Sequence, residues 1–152
     1  MTILIRFAIA LILAIAPLGA RAGTELALGF AEDIDQEETA VATIAYVTWH
    51  RHPYEFLLGH LEARDDEDPS LSPTTTFVAA SKRLTWRRFY TSLGVALTDT
   101  NDDNDVLSGP LQFLTALGYG GERWSISLRH LSNASIEGRN RGETFLMVAF
   151  HF

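Results

Sequence analysis

The chain has 152 residues, a net charge of −7 and no cysteine, and 47% of its residues are hydrophobic. The acidic balance argues against a nucleic-acid partner, and the lack of cysteine removes disulfides as a source of stability. A small exported domain of this kind relies on a full core or on a sheet closed within a bilayer.

In chain order, Met1–Arg6 is short and basic, and Phe7–Leu18 is an apolar run broken only by Pro17. Ala20-Arg21-Ala22 then supplies small residues before Gly23. This is the layout of a secretory signal peptide, and the run is shorter than the roughly 20 residues of a spanning helix. Residues 1–22 are therefore expected to be a signal peptide rather than a retained anchor, and residues 23–152 one domain. That domain holds no apolar run long enough for a helical span, so if it is a membrane protein it is a β-barrel.

Eight β-candidates follow, separated by turn signals and each about long enough to cross a bilayer when tilted. They are Thr24–Ala31, Thr39–His50, Tyr54–Ala63, Thr74–Ala80, Trp86–Thr98, Leu111–Gly120, Arg123–Asn133 and Thr144–Phe152. Alternation is clearest late in the chain. Phe89, Thr91, Leu93, Val95 and Leu97 oppose Arg88, Tyr90, Ser92, Gly94 and Ala96, and the last strand sets Leu146, Val148, Phe150 and Phe152 on one parity. Phe56-Leu57-Leu58 cannot be oriented by pattern alone. No helix-period segment or internal repeat competes.

The connections alternate between long and short. Glu32–Glu38, Asp65–Ser72, Thr98–Gly109 and Ala134–Glu143 are long and mostly acidic, whereas Arg51-His52-Pro53, Ser81–Thr85 and Gly120–Glu122 are tight. Lys82, Arg83, Arg87 and Arg88 fall at or near the tight set. Short periplasmic turns and longer outer loops are the arrangement of an outer-membrane barrel. A final Phe152 closing an amphipathic strand agrees with it. The expected fold is thus all-β, an eight-stranded antiparallel transmembrane β-barrel of the outer membrane.

Trp124, Ile126 and Leu128 share a parity that continues through His130 and Ser132, so a base and a nucleophile lie on the apolar face of one strand. In a soluble enzyme that face is the core. In a membrane barrel it meets lipid, and the substrate is then a lipid. Ester hydrolysis needs a nucleophile, a base for its proton and donors for the oxyanion. Residues at i and i+2 of a strand lie roughly 6–7 Å apart, within reach of a rotamer change. As a bare pattern H-x-S is common and fits an ordinary strand end. An unpaired polar group facing hydrocarbon is costly, however, which favours a paired or functional histidine.

His130-Leu131-Ser132-Asn133-Ala134, followed by Ile136, Asn140, Gly142 and a closing amphipathic strand ending in Phe, resembles the lipid A 3-O-deacylase (PagL) family. Ser108-Gly109-Pro110-Leu111-Gln112-Phe113, leading to Leu117-Gly118-Tyr119-Gly120, resembles that family's antepenultimate strand. The resemblance is good from about Ser108 onward and general before it. It implies an outer-membrane barrel that hydrolyses the ester-linked 3-hydroxyacyl chain at position 3 of lipid A without a cofactor. Lipopolysaccharide is then the substrate and a homodimer a candidate assembly. By the same resemblance Ser132 is the nucleophile, His130 the general base, and Asn140 with the Ser135 N–H the oxyanion donors. Asn133 belongs to the motif, and its parity points it into the lumen.

The chain departs from the family at the acid, because that position is Thr144. Glu143 is adjacent with lumen parity, unless a bulge or a late strand start turns it outward. Glu137 is the next candidate, and a Ser-His dyad with Thr144 orienting the imidazole is the third.

Other features have plainer readings. Asp99, Asn101, Asp103 and Asp105 begin like a Ca²⁺ loop but lack the turn glycine and the closing glutamate. His50 and His52 are spaced like ligands with nothing to complete a metal site. Trp49, Tyr54, Trp86, Tyr119 and Trp124 read as interfacial belts. Two other functions compete: a non-catalytic small barrel with a structural, adhesion or lipopolysaccharide-binding role, and a soluble lipocalin-like barrel, which needs apolar residues pointing inward.

Overall fold

The computed structural model describes residues 23–32, 38–48, 51–63, 74–100, 106–136, 138 and 140–152. The expected signal peptide at 1–22, Trp49, His50, Glu137 and the acidic stretches within 33–37, 64–73 and 101–105 lie outside them.

Alternating residues build eight strands: β1 (Gly23–Glu32), β2 (Glu38–Val47), β3 (Tyr54–Leu61), β4 (Thr75–Trp86), β5 (Phe89–Thr98), β6 (Leu111–Gly120), β7 (Trp124–Ser132) and β8 (Glu143–His151). Each pairs antiparallel with its sequence neighbour, and β1 pairs with β8 from Glu25↔His151 to Ala31↔Phe145, so the barrel closes. Closure leaves no unpaired edge, which a sheet in hydrocarbon requires. Antiparallel order puts the connections after β1, β3, β5 and β7 at one end and those after β2, β4 and β6 at the other, where only two residues separate β4 from β5 and three separate β6 from β7.

The barrel's outside is apolar. Leu28, Phe30, Phe56, Leu58, Val78, Leu93, Val95, Leu97, Leu117, Leu128 and Phe150 are all exposed. A surface this apolar on a closed barrel faces lipid. The lipocalin-like alternative fails here, because these large side chains point outward. In β3, Leu57 turns inward between outward Phe56 and Leu58. Near the short-turn end Phe89, Tyr119 and Trp124 form a chain of rings, with centroids 4.9 and 6.5 Å apart.

The lumen is divided. Towards the long connections it is filled by Phe77, Leu107, Leu114, Leu131, Phe145 and Met147. Towards the short turns it holds charge: Arg83 pairs with Glu25 at 2.8 Å and with Glu55, and Arg129 reaches Glu55 at 3.2 Å. Ser81 and Ser92 donate to the other oxygen of Glu55 at 2.7 and 2.6 Å.

One expected turn is wrong. Ser81–Thr85 continues β4, and the chain reverses at Arg87-Arg88, with Arg87 at φ 55°. Ser81 and Arg83 are polar because they face Glu55 in the lumen, not because they form a turn. Lys82 lies on the outer side, its Nζ 3.8 Å above the Tyr54 ring.

Candidate active site

β7 carries the outward row Trp124, Ile126, Leu128, His130 and Ser132 up to the long-connection end, while Leu131 and Asn133 are buried inside. Across the sheet His130 pairs with Thr115 on β6 and Thr144 on β8. These short side chains open a shallow cavity of about 300 Å³ on the outer surface, floored by Ala116 and bounded by Leu117 and Leu128.

The imidazole Nδ1 lies 2.8 Å from Thr144 Oγ1. Its other edge meets the backbone of Gly142, where a Cβ would sit 2.6 Å from Cε1 and 2.8 Å from Nε2. Gly142 has φ 73° and donates its N–H to Val106 O at 3.0 Å, which ties the β7–β8 connection to the one before β6.

Ser132 Oγ donates to Asn140 Oδ1 at 3.0 Å and accepts the Ala134 N–H at 3.2 Å. Asn140 passes the polarity inward, its Nδ2 donating to Gln112 Oε1 at 3.2 Å. Gln112 is fully buried, and its amide donates to the carbonyls of Ser108 and Gly109, each at 2.9 Å. Asn133 faces the lumen as its parity requires, donating to Ser108 O at 2.8 Å and accepting the Ser135 N–H at 2.8 Å. This bond holds a backbone that side chains disfavour: Ala134 and Ser135 are both left-handed, with φ 55° and 61°. Strain of about 1–3 kcal/mol per such residue persists where the surroundings enforce it, commonly at functional sites.

Not every expected group converges. The Ser135 N–H is occupied by Asn133, and Asn140 presents its oxygen to Ser132, not its amide. Glu143, ranked first as the acid, is buried in the lumen opposite Leu131, and the β7–β8 pairing runs without a bulge. Regular alternation therefore puts Glu143 and His130 on opposite faces, and the side chain that meets the ring is Thr144. His130 and Ser132 are neighbours without a direct hydrogen bond between them. His52, considered for its spacing, accepts the Thr85 N–H at 3.1 Å, and no metal-binding group of three occurs among the described residues. The Gln112 link was missed, although Gln112 stands in the Ser108–Phe113 segment.

A closed barrel with an apolar, lipid-facing outside and a serine and a histidine at one rim defines the class, an outer-membrane β-barrel. The chain belongs to the lipid A 3-O-deacylase (PagL) family, whose profile matches residues 24–152. Its fold is similar to that in the crystal structure of the outer membrane enzyme PagL: TM-score 0.56, 15% identity, covering 86% of this chain and 99% of that one. A comparison with curated protein sequences gives no match. Family, fold and apolar exterior together place the protein in the bacterial outer membrane.

Proposed function

We propose that the protein is a serine ester hydrolase that removes the 3-O-acyl chain of lipid A, after residues 1–22 are cleaved during export. The observation that carries this reading is that His130 and Ser132 leave the barrel on its apolar outside, next to a cavity lined by Leu117 and Leu128. A site built there takes its substrate from the membrane.

In the proposed reaction Ser132 turns from Asn140 towards His130, whose Nε2 takes the hydroxyl proton as Oγ attacks the acyl carbonyl. The tetrahedral oxyanion collapses, and the imidazolium returns the proton to the departing sugar 3-oxygen. Water then hydrolyses the acyl-serine by the same route and releases a fatty acid. Catalytic hydrogen bonds are commonly loose until substrate binds, so the resting Ser132–Asn140 bond is compatible with this path. The Ala134 N–H, already on Ser132 Oγ, is the best-placed main-chain donor for the oxyanion. Asn140 joins it once its amide rotates. A single chain holds all of these groups, so the reading does not require the homodimer.

The test is mass spectrometry of lipid A from cells expressing the wild type or Ser132→Ala. The wild type removes one 3-hydroxyacyl group, and the variant loses activity by about 10³-fold or more. Unchanged lipid A under folded wild-type protein would favour the non-catalytic barrel, a reading that Thr144 at the position of the expected acid also supports.

A further inference from the structure

The ring of His130 has one hydrogen-bond partner among the described residues, and it is neutral: Thr144, at 2.8 Å from Nδ1. We propose that Thr144 is a positioning residue whose hydroxyl accepts the Nδ1–H of His130 and takes the orienting part of a triad acid without its charge. The inference rests on the ester-hydrolase reading.

Three observations carry it. His130 and Thr144 are direct cross-strand partners on the outer face, so their approach is fixed by the sheet and not by a loop. Glu143 cannot substitute, being buried in the lumen on the opposite face. Gly142 closes the far edge of the ring, so the imidazole is held between a hydroxyl at Nδ1 and a backbone beside Nε2.

The chemistry follows from the proton count. A neutral imidazole carries one proton, and Nε2 accepts from Ser132 only when that proton is on Nδ1. A carboxylate only accepts hydrogen bonds and so fixes this tautomer, whereas a hydroxyl accepts or donates and permits both. Thr144 therefore holds the ring in place, selects the working tautomer incompletely and offers no charge to the imidazolium. The exchange has a gain in this setting: a carboxylate facing hydrocarbon is expensive, and a hydroxyl paired with a ring nitrogen is not.

The experiment follows covalent labelling of Ser132 by a long-chain alkyl fluorophosphonate in detergent micelles, alongside kcat and KM for lipid A deacylation. In labelling, Oγ attacks phosphorus, fluoride departs and His130 takes the serine proton, so the rate reports the Ser-His pair without lipid A. Thr144→Val keeps the shape and removes the hydroxyl. It should slow labelling and kcat about tenfold at unchanged KM, the effect of one lost hydrogen bond. Thr144→Ser should stay within about twofold of the wild type on the same ground. Thr144→Glu should label faster, and His130→Ala should abolish labelling. Folding of each variant is checked by the heat-dependent gel shift of intact barrels.

A folded Thr144→Val that labels as fast as the wild type would overturn the proposal, because packing alone would then explain the contact. A Thr144→Ser as slow as the valine variant would overturn it too. If wild-type Ser132 is labelled but lipid A stays intact, the substrate reading fails and the role of Thr144 is still decided by the labelling series. Absence of wild-type labelling would overturn both.

Discussion

At Gly142 the backbone passes so close to the His130 ring that a single methyl group would overlap Cε1 and Nε2. The position also has φ 73°, a conformation that alanine adopts at a cost. Gly142→Ala is expected to push the imidazole out of line with Ser132 and to lower deacylation about 10²-fold, the scale of a misplaced catalytic group. The barrel should still form, since the residue lies beyond β7 and before β8; activity and the gel shift of one preparation check both halves. At this scale strand parity made much of the site legible. It set His130 and Ser132 outward and Asn133 inward, and it gave Glu143 the lumen face on which it is found. The left-handed pair Ala134-Ser135 was not legible, because neither residue favours that conformation and its support comes from Asn133. Nor was the link from Asn140 to Gln112, which needs residues distant in sequence brought together at the rim.

Between strands, two cross-strand pairs place a ring over a glycine: Phe77 opposite Gly59, and Tyr90 opposite Gly118. In each pair an added Cβ would meet the facing ring. The bare backbone lets a large lumen side chain lie flat against the wall, which a narrow barrel requires. Gly118→Ala should therefore destabilise the barrel by about 1–3 kcal/mol, the usual cost of overpacking, and unfolding in urea and detergent measures it. Strand number and order were legible from alternation and turn residues, but the length of β4 was not. Ser81-Lys82-Arg83 has the polarity of a turn, and composition cannot tell a turn from a strand facing a charged lumen. The partners that decide it, Glu25 and Glu55, lie on β1 and β3.

For the molecule as a whole, that buried ionic cluster is the main polar tie across the lumen. Glu55 is fully buried and is bonded by Arg83, Arg129, Ser81 and Ser92, which joins β3, β4, β5 and β7. Glu55→Leu would leave two guanidinium groups short of a counter-charge. Removing one partner of a buried pair costs about 3–5 kcal/mol, so the urea midpoint should fall well below that of the wild type. Deacylation of the protein that remains folded should change less than its stability, since Glu55 is buried in the lumen whereas His130 and Ser132 lie on the outward row of β7.

The aromatic chain of Phe89, Tyr119 and Trp124 has a further consequence. Anchored at one interface, these rings fix the depth at which the barrel floats, and β7 starts at Trp124 and ends at Ser132. At about 3.3 Å per residue and a tilt near 40°, the strand climbs roughly 20 Å of an apolar band about 25 Å tall. The barrel wall is thus a ruler. In the proposed reaction it carries Ser132 to one altitude, just under the far interface, so that which ester would be cut is decided by how deep the bond lies as well as by its chemistry.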